Sequence, residues 1–213
     1  MRQNEGDTLR LFNGKDGEWL VEIEALSKKF CVGRVKEQLR HQENSLDIWA
    51  VFAPIKKTRM DFAVEKATEL GVNTIWPVIT QYCDRSKIKK ERMEAQVIEA
   101  AEQCERLDIP EIRDTVSLSK LLELWPEDRM LIVCAEFGEV EPVASVFNDI
   151  DDRSIAVLIG PEGGFSVEEL DKLSEYSFVK KVSLGGRILR AETALCAVLS
   201  CYQAIAGDWV KKA

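Results

Sequence analysis

Two glycine-rich strings stand out for the chemistry they permit. Leu158-Ile159-Gly160-Pro161-Glu162-Gly163-Gly164-Phe165 and Leu184-Gly185-Gly186-Arg187-Ile188-Leu189-Arg190 each follow an apolar run that reads as a strand. Glycine removes Cβ, so backbone N–H and C=O groups can approach a ligand closely and take positive φ. A third strand end, Ala135-Glu136-Phe137-Gly138, has the same character. Each loop alone is compatible with a structural turn. Three at strand ends of one sheet point to a ligand site, because open α/β sheets bind ligands beyond the carboxyl ends of their strands. The string G-x-x-x-x-G-K-[ST] is absent, as is a strand-linked G-x-G-x-x-G with a following acidic residue, so kinase, GTPase and NAD dehydrogenase readings have little support.

The rarer residues narrow the chemistry further. His41 is the only histidine, which excludes any site built on two. It stands in the polar run 38–44 and reads as a surface loop residue. No two of the six cysteines form a C-x-x-C pair, so zinc and thioredoxin-type readings fail and no metal is expected. Cys134 and Cys196 lie in apolar runs and read as core. No window approaches ~18 consecutive apolar residues, and the first residues lack the apolar core of a secretion signal. A cytoplasmic protein with reduced thiols is the expectation.

The elements that must position the loops follow from periodicity. Residues 8–36 read as a β-meander, with hairpin chemistry in Asn13-Gly14-Lys15-Asp16-Gly17. The polar stretch 37–45 breaks the pattern and marks a boundary between units 1–45 and 46–213. Ile48 to Ala53 is a continuous apolar run, as expected for a strand covered on both faces. Arg59 to Leu70 reads as a helix stopped by Gly71. Strands are expected at 72–79, 130–135, 155–159 and 179–184. Helices are expected at 91–107, 118–124, 142–147, from Ser166, and at 189–206. Ser166-Val167-Glu168-Glu169 fits a reciprocal capping box. Alternating strands and helices imply an α/β fold with a largely parallel sheet.

Charge is unevenly spread. The chain carries a net charge of −8, yet residues 51–92 hold 9 basic and 5 acidic side chains against 12 and 23 over 93–213. A local basic block can contact phosphates within an acidic protein; a solvated loop running into a helix is the plainer alternative.

Strings 158–166 and 184–194 together resemble the signature of the SPOUT methyltransferases, in particular the ribosomal RNA small subunit methyltransferase E family. The segment from Lys57-Thr58-Arg59-Met60 to Glu69-Leu70-Gly71-Val72 is similar to that family's basic turn, helix and E-L-G end. Ala101-Glu102-Gln103-Cys104-Glu105-Arg106, followed by Pro110, is similar to its E-Q-C-x-R segment. Four ordered motifs agree over 47–207. The meander before them resembles the family's small PUA-like β-barrel. That domain in the family starts with a strand and helix ahead of the point where this chain begins, so a barrel incomplete at its N-terminus is expected.

The resemblance implies a C-terminal trefoil knot that binds S-adenosylmethionine, a homodimer, and methylation of uridine N3 in 16S rRNA of the 30S subunit near its decoding site. It implies a cofactor held by Leu158, Ile159, Gly160, Pro161, Gly163, Gly164, Leu184, Gly185, Ile188 and Leu189. Ala135 and Glu136 would form a third edge, with Thr193 and Ala194 beneath the ligand. Methyl transfer from a sulfonium needs alignment and electrostatics rather than a metal. Uracil N3 must first lose its proton, which calls for a base or a cation that stabilises the anion. Arg190 and Arg106 are the candidate cations. Glu162 and Glu192 are the candidate proton acceptors.

Each candidate has a plainer alternative: Glu162 bonding loop backbone, Glu192 favouring its helix N-terminus, Arg106 pairing with Glu102 at i, i+4. Lys56, Lys57, Arg59, Arg85, Lys87, Lys89 and Lys90 are the phosphate-contact candidates. The apolar residues of the last helix, Leu195, Val198, Leu199 and Tyr202, could face a second copy or the chain's own sheet. Two other functions compete: a SPOUT ribose 2′-O-methyltransferase acting on tRNA or 23S rRNA, and a non-catalytic RNA-binding assembly module.

Overall fold

The computed structural model describes residues 3–83, 88–135, 139–150 and 154–210. Three antiparallel strands come first: β1 (Thr8–Phe12), β2 (Glu18–Leu26) and β3 (Cys31–Arg40), in that order across a separate sheet. Residues 37–40, expected as a break, continue β3, where Arg40 pairs with Glu18 at 2.9 Å. His41 follows as an exposed residue outside regular structure.

The second unit runs β4 (Ile48–Phe52), α1 (Lys57–Glu69), β5 (Thr74–Ile79), α2 (Lys90–Gln103), β6 (Glu111–Ile112), β7 (Val116–Ser117), α3 (Leu118–Glu123), β8 (Met130–Cys134), β9 (Glu141–Pro142), α4 (Val143–Asn148), β10 (Ile155–Ile159), α5 (Val167–Ser174), β11 (Val179–Ser183) and α6 (Ala191–Ile205). The strand order is β6-β5-β4-β10-β8-β11-β9, with β7 beside β5, and every pairing is parallel.

Strand alternation splits the core into two layers. Ile48, Ala50, Phe52, Ile155, Val157 and Ile159 join α1, α2, α4 and α6 on one face. Trp49, Val51, Ala156 and Leu158 join α3, α5, Trp76 and Trp125 on the other. A sheet covered on both faces explains why β4 and β10 are apolar at every position. Leu195, Val198, Leu199 and Tyr202 lie in the first layer, so the apolar stripe of α6 is buried against its own sheet. Cys134 and Cys201 are partly buried at the edge of that layer. Cys196 is only partly buried as well.

Candidate active site

The capping box is present at the head of α5: the Ser166 hydroxyl accepts the Glu169 N–H at 3.2 Å, and the Glu169 carboxylate accepts the Ser166 N–H at 3.0 Å. It ends the loop 160–165 in a defined place beyond β10. The loop 184–190 leaves β11, and Ala135 leaves β8, on the same edge of the sheet. Between them lies a cavity of about 560 Å³. Its walls include Ala135, Ile159, Gly160, Pro161, Gly163, Gly164, Leu184, Gly185, Ile188, Leu189, Arg190 and Ala194. Such a volume is in the usual range of small-molecule sites, roughly 300–1,000 Å³.

Two glycines show why the loops are spelled as they are. A Cβ on Gly160 would stand 3.1 Å from the Phe165 ring, which folds under the loop. Gly185 has φ +100°, a conformation L side chains rarely adopt, and the space where its side chain would be is empty within 4 Å. An open backbone surface beside a cavity is what a ligand gripped by main-chain groups requires. The loops therefore suit a small ligand held by main-chain groups.

Several expected residues lie elsewhere. Leu158 is fully buried in the second core layer, because strand alternation turns it away from Ile159. Thr193 is exposed and off the cavity wall; Ala191 and Ala194, three residues apart on α6, form that wall instead. Glu136 falls outside the described residues, as do Arg85 and Lys87.

Arg106 also lies away from the cavity. Helix α2 ends at Gln103 and Glu105 takes φ +57°, so Arg106 cannot reach back to Glu102 along a helix. Its guanidinium bonds Asp108 at 2.8 and 2.9 Å and the Thr68 carbonyl at 2.6 Å. The side chain is 8% exposed. Asp108 in turn accepts from the Ser45 backbone N–H and hydroxyl, both at 3.1 Å, just ahead of β4. That is the opposite edge of the sheet from the cavity.

Arg59 takes an unexpected place. It lines the cavity, with Nη1 3.3 Å from Glu162 Oε1 and Nε 3.5 Å from Glu192 Oε1. One guanidinium from the first turn of α1 thus joins the loop after β10 to the first turn of α6. Glu162 is 39% exposed and on the wall. Glu192 is 13% exposed, and its Oε2 is buried without a hydrogen-bond partner. Arg190 is exposed on the wall and has no ionic partner among the described residues. Cys134 reaches the same wall, but burial, with Cys201 nearby, pushes its thiol up to about 12, so it is neutral and not nucleophilic at neutral pH.

The basic block is largely spent on local pairs. Lys90 meets Asp114 at 2.6 Å, Arg92 pairs with Asp61, and Lys66 pairs with Glu65 and Glu69 at 2.7 Å. Lys56, Lys57 and Lys89 remain exposed and without ion pairs among the described residues.

Comparison with known proteins agrees with this architecture. A model described as the RNA methyltransferase domain matches residues 42–203, and one described as the RNA methyltransferase PUA domain matches residues 1–36. The ribosomal RNA small subunit methyltransferase E of Rickettsia conorii is 37% identical over 91% of this chain and 79% of its own length. The crystal structure of the enzyme of that name from Neisseria gonorrhoeae, bound to S-adenosyl methionine, superposes with TM-score 0.84 at 29% identity, covering 97% of this chain and 86% of that one. A TrmH/SpoU tRNA modifying enzyme from A. aeolicus, 15% identical with TM-score 0.50 over 75% of each chain, shares the fold alone. This chain belongs to the ribosomal RNA small subunit methyltransferase E family.

Proposed function

We propose that this chain methylates N3 of a uridine in 16S rRNA of the small ribosomal subunit, near the decoding region, with S-adenosylmethionine as donor. The observation that carries this reading is the cavity walled by Ala135 at the end of β8 and by the loops after β10 and β11, with Arg190 on its surface and without an ionic partner among the described residues. By the family resemblance, the C-terminal loops form a trefoil knot and the N-terminal strands belong to a PUA-like domain.

The residues divide the work as follows. Backbone groups of 159–164 and 184–189 hold adenine and ribose, Ile159, Leu184, Ile188 and Leu189 supply apolar walls, and Ala135 closes the third edge. The bound cofactor supplies an electrophilic methyl group. Glu162, accessible on the wall, takes the N3 proton of uracil; Glu192, enclosed and off the wall, holds Arg59 in place. Arg190 stays protonated and cannot act as a base. It stabilises the negative charge that spreads onto the uracil oxygens as the proton leaves.

Lys56, Lys57 and Lys89 contact phosphate, and Lys90 can join them by releasing the solvent-exposed Asp114. Phosphate contacts position RNA without reading its sequence, so the substrate is a structured particle, the 30S subunit. The chain acts as a cytoplasmic homodimer. Ile188, 78% exposed at the cavity mouth, is apolar surface that a second copy would cover. Calorimetric titration tests the cofactor half of this reading: saturable binding of S-adenosylmethionine supports it, and no heat at millimolar ligand overturns it.

A further inference from the structure

The loop after β5 carries one aromatic side chain that no core explains. Tyr82 is 54% exposed, and among the described residues its ring meets no other ring and its hydroxyl has no partner. Its root is nevertheless firmly seated. A Cβ built on Gly163 would stand 3.0 Å from the Tyr82 Cβ and 3.5 Å from its Cγ, so the ring springs from the surface of the cofactor loop itself. The preceding N–H, on Gln81, donates to Glu169 Oε1 at 2.8 Å. The other oxygen of that carboxylate closes the Ser166 capping box at 3.0 Å. One carboxylate therefore ties the Tyr82 turn to the head of α5. The Cys83 N–H and thiol both face the Thr80 carbonyl, at 3.5 and 3.2 Å, which tightens the same turn.

An aromatic ring held at its root, with its far end in water, costs little to order when a flat partner arrives. Unpaired bases in RNA are recognised by stacking on such rings. The charge around it suits the same partner: Lys89 follows in the sequence, and Lys56 and Lys57 head α1 beside the Arg59–Glu162 contact on the same loop.

We infer that Tyr82 is a stacking platform for an unpaired base of the RNA substrate, seated against the outer side of the loop whose inner side faces the cofactor. The inference rests on the RNA methyltransferase reading above. It makes Tyr82 a positioning residue, acting on the approach of RNA and not on the cofactor.

The test compares Tyr82→Phe, Tyr82→Leu and Tyr82→Ala in the full chain, with unmethylated 30S subunits as substrate. Loss of the ring should reduce kcat/KM for 30S about 10- to 100-fold, the range an aromatic stack on one base is worth. The effect should fall mainly on KM. Tyr82→Phe should keep most of the activity, and all three should keep wild-type affinity for S-adenosylmethionine. Leucine retains apolar bulk against Gly163, so a purely structural role would spare Tyr82→Leu. Equal activity of Tyr82→Leu and wild type overturns the inference, as does loss of cofactor affinity in step with activity. Wild-type protein inactive on 30S would instead overturn the function on which the inference rests.

Discussion

Arg59 and Glu162 are 103 residues apart in sequence and 3.3 Å apart in space. The same guanidinium lies 3.5 Å from Glu192. Helix α1 is therefore tied to both segments that flank the cavity, and neither carboxylate is a free anion. The pairing gives Arg59 a structural hold on the loop after β10.

Replacing Arg59 should act on the cofactor site before the fold. Arg59→Ala removes the hydrogen bond to Glu162 and leaves an enclosed Glu192 without its cation; a hydrogen bond to a charged group is worth about 1.5–3 kcal/mol. Affinity for S-adenosylmethionine should fall roughly 10- to 100-fold by calorimetry. Glu192→Gln in the Arg59→Ala background should recover part of it, because the uncompensated charge is then gone.

Gly185→Ala should separate backbone conformation from space. Nothing stands within 4 Å of the added methyl, yet φ is +100°. An L residue in left-handed backbone costs about 1–2 kcal/mol, and the loop would relax away from it. Cofactor affinity should fall by about tenfold with little change in Tm, as read by calorimetry and thermal unfolding.

Arg106→Ala should behave as a stability variant. Its buried pair with Asp108 bridges the turn after α2, the end of α1 and the entry to β4. Breaking such a pair by removing one partner costs about 3–5 kcal/mol. Denaturant unfolding should show that loss, while calorimetry well below Tm should show unchanged affinity for S-adenosylmethionine.

Acid should unfold the protein through the same edge. Burial opposes ionisation of Asp108 and Asp47, but bonds from Arg106 to the first and from Arg129, Ser154 and Asn73 to the second outweigh it, so both carboxyls titrate below their ordinary range. A folded-state value below the unfolded one stabilises fully above the ordinary carboxylate value, about 3.9, and is lost as pH falls through the folded value. Tm should hold across neutral pH and drop as the pH falls below about 4. Asp108→Asn should lower the plateau and flatten the acid limb.

What was legible in the chain was what local physics decides. The run from Ile48 reads as a doubly covered strand from its composition, and β4 (Ile48–Phe52) is one. The capping box at Ser166 and Glu169 spans three residues and needs nothing beyond them. The loops at 159–164 and 184–190 announce themselves through glycine. The errors lie where direction or distance decides. Leu158 and Ile159 are adjacent in sequence, yet alternation sends one into the Trp49 layer and the other to the cavity. Thr193 and Ala194 part by the same logic on a helix, about 100° per residue. Arg106 turns to Asp108 because α2 ends at Gln103, four residues short of the expected 107, a stop that no proline or glycine marks. The Arg59 contacts join residues more than 100 positions apart, beyond any local pattern.

The most direct test of the central claim is transfer of labelled methyl from S-adenosylmethionine to unmethylated 30S subunits, followed by nucleoside analysis of the digested 16S rRNA. Label is expected in 3-methyluridine, and replacing Arg190 or Glu162 should abolish it. Label in a 2′-O-methylated nucleoside, or none in the presence of measurable cofactor binding, would contradict that claim.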